Sequence, residues 1–302
     1  MGDLPRLTAR ARDGHKGTFG TVVVVGGCAG DESRMIGAPA LAALGALRAG
    51  AGLVRILAPG PILDAVLSLC PSATGVAVPV DHDKRVVPHL ASAILDRAEG
   101  EVLLIGPGLG RDPASRSMAL RAVQQERMPA VIDADAIHAL AAIPDLWRDF
   151  RAPAVLTPHP GEFRSLARSL ALPENPETDR QRQEAAEAMA QRLGCVVVLK
   201  GARTIVTDGQ DSRASPHADH ALAAAGTGDV LAGVIAGLIA QSRADTQAFS
   251  LSLVDLAYIG VHVHALAAAR WREASSADSG LLARELADCI PAVMSTLRAG
   301  PP

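Results

Sequence analysis

The sequence predicts an α/β fold in which a parallel sheet is covered by helices on both faces. Short runs of β-branched and apolar residues alternate along the chain with Ala/Leu-rich stretches of helical length. The short runs are continuously apolar, as is typical of strands that are buried on both faces. No internal repeat, low-complexity tail or convincing linker divides the 302 residues, so we expect one domain over residues 1–302.

The predicted elements follow one another in the order that such a sheet requires. The strands are predicted at residues 21–25, 53–57, 102–105, 130–133, 154–157 and 195–199. The helices are predicted at residues 39–49, 114–126, 179–193, 230–240 and 246–270. The stretch 172–178 contains two prolines and is predicted to be a surface connection within the domain.

Composition and charge exclude several classes of protein. The chain is 49% apolar and 20% charged with a formal net charge of -3, and its basic residues lack interleaved aromatic residues, so we expect no nucleic-acid partner. The uncharged stretch 230–240 is too short to span a bilayer, and the N-terminus lacks an apolar signal segment. We therefore expect no membrane association and a cytoplasmic location. The cysteines are far apart, which argues against a zinc site or a disulfide scaffold: Cys28, Cys70, Cys195 and Cys289.

Polar or glycine-rich sequences follow most of the predicted strands. Ligands of parallel sheets bind at the carboxyl ends of the strands, so we expect these segments to form one site. Gly108 can let backbone approach a ligand, and Lys200 can supply positive charge to a phosphate. The segments are Gly26-Gly27, Gly106-Pro107-Gly108-Leu109-Gly110, Asp133-Ala134-Asp135, Thr157-Pro158-His159-Pro160-Gly161-Glu162 and Lys200-Gly201.

The segment 224–233, AAGTGDVLAG, opens an apolar helix with glycines and one carboxylate. Gly226 and Gly228 would let an anion approach the unpaired N–H groups of the first turn, where the helix dipole also favours negative charge. Asp229 repels a phosphate unless it orients a hydroxyl for phosphoryl transfer or binds the metal of a nucleotide. The structural alternative is that Thr227 or Asp229 is an ordinary N-cap.

These motifs resemble those of the NAD(P)H-hydrate dehydratases, which belong to the ribokinase-like superfamily. The resemblance covers residues 15 to 237 and implies a three-layer α/β/α sandwich with a mostly parallel central sheet. The order of IGPGLG, LTPHPGE and GTGD is specific, whereas GTGD alone recurs in many ribokinase-like kinases. The matching segments are HKG at 15–17, GAP at 37–39, RAGAGL at 48–53, IGPGLG at 105–110, DAD at 133–135, LTPHPGE at 156–162, LKG at 199–201 with Thr204, and GTGDVLAG at 226–233.

The resemblance implies an ADP-dependent lyase that repairs (S)-NAD(P)H hydrate and yields NAD(P)H, phosphate and AMP. ATP is the alternative co-substrate, and Mg²⁺ is expected with the nucleotide, its ligands unassigned. Ala38, Gly108, His159 and Asp229 would face the hydrate. Asp229 would orient and deprotonate the ring hydroxyl, for which its pKa need not be raised. Relatives imply a homotetramer, and the epimerase domain fused to many of them is expected to be absent. The nucleotide would be held by Lys200, Gly201, Ala202, Arg203, Thr204, Gly226, Thr227 and Gly228.

Two departures from the family pattern fall near the expected site. Met35 stands where family members often carry a tyrosine, which removes a stacking or hydrogen-bonding group. Residues 216–225 replace a Gly/Asn-rich stretch, and Ala225 replaces a glycine. If that position needs a positive φ, the alanine would restrict the anion-binding backbone. We then expect reduced activity or a changed nucleotide preference.

A structural role is the alternative for each of several site residues. His159 would then be a capping histidine and Lys200 an exposed strand-end lysine. Glu162 would be a first-turn helix charge, and Asp133 and Asp135 would cap the next helix.

The remaining histidines carry weaker signals. His217, Asp219 and His220 have the spacing of a solvated turn more often than that of a metal site. His262 and His264 lie two apart on a predicted helix, so they point to different faces and are expected to be structural or surface residues.

Two rival functions stay open at this stage. A ribokinase-like kinase of a vitamin-precursor alcohol would use the same fold and anion site. A nucleotide-binding protein without catalysis would fit the altered segment 216–225. The LTPHPGE motif argues against the kinase, and Asp229 argues against the non-catalytic protein.

Overall fold

The fold is a nine-stranded, mostly parallel sheet between two layers of helices. The computed structural model describes residues 4–10, 12–30, 33–245 and 251–299. The strands are β1 (Thr21–Val25), β2 (Cys28–Ala29), β3 (Arg34–Met35), β4 (Leu53–Pro59), β5 (Thr74–Val78), β6 (Val102–Ile105), β7 (Ala130–Ile132), β8 (Ala154–Leu156), β9 (Val196–Leu199), β10 (Ile205–Thr207) and β11 (Ser212–Ala214).

The strand order of the large sheet is β11-β10-β9-β8-β7-β6-β1-β4-β5. The strands from β5 to β9 pair in parallel, whereas β10 and β11 continue the sheet in antiparallel fashion. Strands β2 and β3 form a separate two-stranded ribbon. The carboxyl ends of β6 to β9 therefore meet at one edge, as the sequence predicts.

The helices are α1 (Gly37–Ala49), α2 (Gly60–Leu69), α3 (Pro88–Arg97), α4 (Pro113–Gln124), α5 (Asp135–Ala141), α6 (Pro160–Ser169), α7 (Asp179–Leu193), α8 (Thr227–Ala244), α9 (Leu253–Ser275) and α10 (Ala283–Ala299). Short 3-10 helices cover Lys16–Phe19, Leu146–Arg148 and His220–Leu222. No described helix has the length and apolar character needed to cross a membrane.

Each face of the sheet has its own hydrophobic core, which explains the continuously apolar strands. Val22 and Val24 of β1 point into the core formed with α1, α2, α8, α9 and α10. Val23 and Val25 point into the core formed with α3 to α7. Because successive side chains of a strand alternate between faces, a strand covered on both sides must be apolar at every position.

Close packing of α1 against α8 places the start of α8 at the ligand edge of the sheet. A Cβ atom at Gly45 of α1 would lie 2.5 Å from the carbonyl oxygen of Val230, and one at Gly237 would lie 2.6 Å from that of Ala46. Glycine is therefore required at both positions for the two helices to approach this closely. Asp229, in the first turn of α8, reaches the strand ends as a result.

Several predicted boundaries differ from the structure. The helix predicted at 246–270 begins at Leu253, because Ser252 and Asp255 form a capping box there. Residues 246–250 lie outside the described part of the chain. Helix α8 starts at Thr227, three residues before the predicted start, and continues to Ala244. The connection predicted at 172–178 is confirmed, since it contains neither helix nor strand.

Candidate active site

A buried group of opposite charges lies where β7, β8 and β9 end. The ammonium Nζ of Lys200 lies 2.9 Å from Oδ1 of Asp133 and 4.0 Å from Oε2 of Glu162. The Thr157 hydroxyl donates to the same Asp133 oxygen at 2.7 Å. Burial lowers the pKa of Lys200, but the charges of Asp133 and Glu162 outweigh it and raise the pKa above its ordinary value. Lys200 is thus a charged lysine whose side chain is only 19% exposed, and the exposed strand-end alternative is wrong.

Asp229 lies beside this group and is the most perturbed carboxylate of the site. Burial, followed by the negative charge of Asp133, raises the pKa of Asp229 to about 8, although Lys200 opposes the shift. The ligand-free protein therefore keeps this carboxyl largely protonated at neutral pH. The phosphoryl transfer that the family resemblance implies does not require such a raised pKa. It arises because Asp133, Glu162 and Asp229 share the region with one lysine.

The start of α8 has the open N–H groups of an anion site. Its N-cap is Gly226 with φ 86°, and no side chain caps the helix, so the prediction of Thr227 or Asp229 as an ordinary N-cap is wrong. The Thr227 hydroxyl is instead bonded to the carbonyl oxygens of Leu222 and Ala224, at 2.8 Å each. The position that needs a left-handed backbone is Gly226, and Ala225 has no positive φ. Alanine at 225 therefore leaves this turn intact.

His159 and Glu162 have a structural role and also border the site. Nδ1 of His159 accepts the Gly161 N–H at 2.9 Å, and Oε2 of Glu162 accepts the His159 N–H at 2.8 Å, which forms a capping box at the start of α6. Burial and the charge of Lys200 lower the pKa of His159. Burial raises the pKa of Glu162, which Lys200 opposes. The capping prediction for His159 is confirmed, and its ring is still half-exposed.

The loop after β7 is strained and is tied to the loop after β6. Ala134 has φ 50° and ψ −125°, a conformation that costs a residue with a Cβ about 1–3 kcal/mol. Asp135 accepts the Gly110 N–H at 3.0 Å. No side chain caps α5, so the prediction that Asp133 and Asp135 cap this helix is wrong. A Cβ at Gly106 would overlap the Asp133 carbonyl, which shows how closely the two loops approach.

A cavity of about 720 Å³ opens beside Lys200 and the start of α8. This volume lies within the range of small-molecule sites. Apolar side chains also line the cavity, among them Leu222, Leu231 and Val261. The predicted site residues on its wall are His159, Lys200, Gly201, Ala202, Thr204, Thr227 and Gly228.

Two residues predicted to hold the nucleotide do not line this cavity. The Arg203 guanidinium is directed to Asp179 on α7, at 3.3 Å, so its side chain does not contribute to the wall. Gly226 lies beneath the helix start, where a Cβ would be 2.6 Å from Leu41 of α1. Both residues therefore contribute to the site through their backbone atoms and not through side chains.

Arg182 is a residue of this site that the sequence did not reveal. Its guanidinium donates to the carbonyl oxygens of Arg203 at 3.1 Å and Lys200 at 3.3 Å. A Cβ at Gly201 would overlap that guanidinium. Arg182 holds the 200–204 loop from outside the cavity. It lies in the first turn of an ordinary polar helix, and no local pattern marks it.

The predicted hydrate-facing residues Ala38 and Gly108 lie together on another side of the strand ends. Gly108 has φ 63°, and a Cβ there would lie 2.8 Å from Cβ of Met35 and 3.2 Å from Cβ of Ala38. Met35, the residue that replaces the family tyrosine, is exposed above this glycine. Neither Ala38 nor Gly108 lines the 720 Å³ cavity, so the site has two separate regions.

The comparison with known proteins decides the family. The family model of the NAD(P)H-hydrate dehydratases matches residues 22–292. The chain belongs to this family.

Relatives within the NAD(P)H-hydrate dehydratase family agree with the assignment. The bifunctional NAD(P)H-hydrate repair enzyme of Moorella thermoacetica is 36% identical over 298 residues, covering 97% of this chain and 52% of the relative. The chain thus spans about half the length of the curated relatives it matches. The ADP/ATP-dependent NAD(P)H-hydrate dehydratase of Bacillus subtilis, co-crystallised with ATP and Mg²⁺, has a TM-score of 0.76 and 28% identity, covering 97% of this chain and 95% of that chain.

The ribokinase-like fold expected of this family is confirmed. A ribokinase-like superfamily protein of Enterococcus faecalis has a TM-score of 0.73 and 25% identity, covering 97% of this chain and 92% of that chain. The sheet with helices on both sides is the shared feature.

Among the remaining histidines, His217 and His262 contact each other and His264 contacts the backbone. Asp219 accepts the Ala221 N–H at 3.0 Å and faces Arg272, whereas the rings of His217 and His262 meet at a tilt of 55° with centroids 4.9 Å apart. These contacts favour the interpretation of residues 217–220 as a turn over their interpretation as a metal site. Nε2 of His264 donates to the Thr227 carbonyl at 2.9 Å, and burial lowers its pKa to about 4. His264 therefore braces the start of α8 as a neutral residue.

Proposed function

We propose that this chain is an ADP-dependent NAD(P)H-hydrate dehydratase. The observation that carries the proposal is the position of Asp229. It stands in the first turn of an uncapped helix, beside a nucleotide-sized cavity and a buried lysine. An acid–base group next to an anion site suits the transfer of a phosphoryl group to a hydroxyl. The family assignment favours a hydrated dinucleotide over a vitamin-precursor alcohol as the acceptor.

The nucleotide is assigned to the 720 Å³ cavity. Its phosphates would meet the Lys200 ammonium and the open N–H groups near Gly228. The backbone of the 201–204 loop, including Gly201, Ala202, Arg203 and Thr204, would hold the nucleotide beside the apolar wall. This arrangement is supported by the cavity lining and by the loop contacts of Arg182.

Mg²⁺ fits the acidic group next to the phosphate region. The carboxylates of Asp133 and Glu162 both approach the Lys200 Nζ, at 2.9 and 4.0 Å, so they lie together there. Carboxylate oxygens are ligands that Mg²⁺ prefers, and Asp133 and Glu162 would hold it. When bound, the ion neutralises charge on the phosphoryl oxygens.

The hydrate is assigned to the region of Ala38 and Gly108, with its ring hydroxyl at Asp229, and His159 would meet it from the wall of the nucleotide cavity. The hydroxyl proton passes to the Asp229 carboxylate as the hydroxyl oxygen bonds to the terminal phosphorus of ADP. The bond from that phosphorus to the bridging oxygen breaks and releases AMP. The ring nitrogen then expels phosphate as the C–O bond breaks, and loss of a proton from the adjacent carbon restores the ring double bond.

The test is turnover of purified protein with hydrated NADH, Mg²⁺ and ADP. We expect the absorbance of reduced nicotinamide to return while AMP and phosphate appear in equal amounts. A kinase would instead accumulate a stable phosphoester, because an ordinary alcohol has no adjacent ring nitrogen to expel the phosphate. Turnover with ATP alone would overturn only the choice of ADP. Binding without turnover would support the non-catalytic alternative.

The setting of this activity is also a proposal. We propose that residues 1–302 act as one catalytic unit in a cytoplasmic homotetramer. The four unpaired cysteines suit a reducing compartment. Light scattering of the purified protein tests the tetramer, and a dimer or monomer would contradict it.

A further inference from the structure

A buried imidazole lies in the wall of the proposed nucleotide cavity and has no role yet toward the nucleotide. His264 shares one face of α9 with Val261 and Ala265, and all three residues line the cavity. Nε2 of His264 lies 2.9 Å from the Thr227 carbonyl oxygen. The ring is therefore held by the same first turn of α8 that carries Asp229.

The Thr227 contact fixes the tautomer of His264. A carbonyl oxygen only accepts hydrogen bonds, so Nε2 carries the proton and donates it. Burial lowers the pKa of His264 to about 4, so the ring is neutral near pH 7. A neutral imidazole with its proton on Nε2 has a lone pair on Nδ1. Nδ1 is thus a hydrogen-bond acceptor in a fixed position.

This acceptor is open to the cavity. Within the described part of the chain, Nδ1 of His262 is the one buried side-chain nitrogen or oxygen without a hydrogen-bond partner. No described group donates to Nδ1 of His264 either, so this atom is not enclosed by protein. The cavity wall also includes the apolar side chains of Leu231, Val261 and Ala265. A nucleotide that excludes water from this wall must supply a donor, because a buried acceptor without a partner costs free energy.

The place of His264 along the cavity indicates which part of the nucleotide it meets. The phosphates are assigned to Lys200 and to the N–H groups near Gly228 under the proposed function, on which this inference rests. Thr227, the residue that His264 contacts, directly precedes Gly228. The ribose is the part of a nucleotide next to its phosphates, and its hydroxyls are donors. We propose that Nδ1 of His264 accepts a hydrogen bond from a ribose hydroxyl of the bound nucleotide and thereby selects nucleotides that carry this hydroxyl.

Calorimetry on the full chain with Mg²⁺ and without hydrate tests the contact. The nucleotides compared are ADP, 2′-deoxy-ADP and 3′-deoxy-ADP. Loss of the contacting hydroxyl should weaken binding to the wild type about 5–20-fold, as for a buried acceptor left without a partner. Equal affinities of the wild type for all three nucleotides would overturn the inference without the need for a variant.

His264→Gln separates this contact from the support that His264 gives to α8. The amide nitrogen of glutamine can still donate to the Thr227 carbonyl, but glutamine has no acceptor at the place of Nδ1. The penalty for the deoxynucleotide should therefore fall below about twofold in this variant. A purely structural histidine would leave the penalty unchanged and lower the affinity for all three nucleotides alike. His262→Gln is the matched control on the same helix, because His262 does not line the cavity, and it should keep the wild-type penalty.

The other outcomes assign the acceptor differently. An unchanged deoxynucleotide penalty in His264→Gln would place the ribose hydroxyl at another group and would overturn the inference. IDP carries an oxygen in place of the adenine amino group. A penalty for IDP that disappears in His264→Gln, with equal affinities for ADP and its deoxy forms, would place the amino group at Nδ1 and would overturn the ribose assignment. These outcomes leave the proposed function standing, because recovery of NADH in the hydrate assay tests it separately. Absence of ADP binding would contradict both.

Discussion

The nucleotide side and the hydrate side of the site are built by different means. On the nucleotide side, long charged side chains hold the geometry: Lys200 pairs with Asp133, and Arg182 bonds to the 200–204 loop. On the hydrate side, backbone conformation holds it, through Gly108 and the strained Ala134. Ligand binding on the nucleotide side should therefore respond to changes of charge and pH. Ligand binding on the hydrate side should respond to changes of side-chain volume.

The largest expected effect is that of Asp229→Asn on turnover. Loss of a positioned acid–base group should lower kcat by at least about 100-fold, while affinity for ADP changes little. Steady-state kinetics and calorimetry check the two parts. Turnover near the wild-type value would remove Asp229 from the mechanism and would leave the two sides without a common reacting group.

Lys200→Ala should lower the stability of the protein and weaken ligand binding on the nucleotide side. It removes the cation from two buried carboxylates, so we expect a stability loss of about 3–5 kcal/mol, as for a broken buried ion pair. The affinity for ADP should fall more than that for the dinucleotide, because the ammonium is assigned to the phosphates. Denaturation and calorimetry measure both effects, with the exposed Lys16→Ala as the control. Equal losses for both ligands would mean that the two sides share this lysine.

The pH should change stability and activity in opposite directions through Asp229. Its pKa is about 8 in the folded protein, against an ordinary value of 3.8 for an aspartate. Between these values the unfolded chain releases the proton and the folded protein retains it, so stability falls as pH rises. We expect a loss of about 2 kcal/mol between pH 5 and 8, allowing for relaxation. Over the same range kcat/KM should rise, because the ionised base becomes populated.

Thermal unfolding at pH 5 and pH 8 checks the stability part of this prediction. Asp229→Asn should flatten the dependence, because an amide has no proton to release in this range. An unchanged slope in the variant would assign the pH effect to another group.

Gly108→Ala should affect the hydrate side alone. The new Cβ would meet Met35 and Ala38 at short distances, so the KM for the hydrate should rise about 10-fold while the affinity for ADP stays unchanged. Gly194→Ala is a matched control, since Gly194 has φ 64° and open space around its Cβ position. It should cost about 1–2 kcal/mol of stability without changing KM. A weakened ADP affinity in Gly108→Ala would contradict the separation of the two sides.

The smallest expected effect is the loss of ADP affinity when the contact between Gly201 and Arg182 is disturbed. Gly201→Ala should weaken ADP binding about fivefold, because its Cβ displaces the guanidinium that holds the loop. In an Arg182→Ala background the same substitution should have little further effect, since the opposing group is absent. Calorimetry on the four proteins of this cycle tests the coupling. Additive losses would show that Arg182 does not act through Gly201.

The local sequence was sufficient to predict six adjacent strands of the large sheet, five of the ten helices in the described residues and the loops that carry the site. A strand buried on both faces must be apolar at every position, and a helix start or a left-handed turn requires particular residues nearby. The continuous runs of β1 and β6 and the glycines of 226–233 carry that information within a few residues. The antiparallel strands β10 and β11 and the opposite edge strand β5 lack so clear a pattern, and the sequence did not predict them.

The tertiary structure alone decided how the site residues interact. Lys200 meets Asp133 across 67 positions of sequence, and Arg182 meets the 200–204 loop from a helix with no distinguishing motif. The raised pKa of Asp229 depends on burial and on charges from other strand ends. Sequence patterns indicate the local conformational requirements of a residue. The distances between site residues and the electrostatic effects of their charges depend on which elements the chain topology brings together.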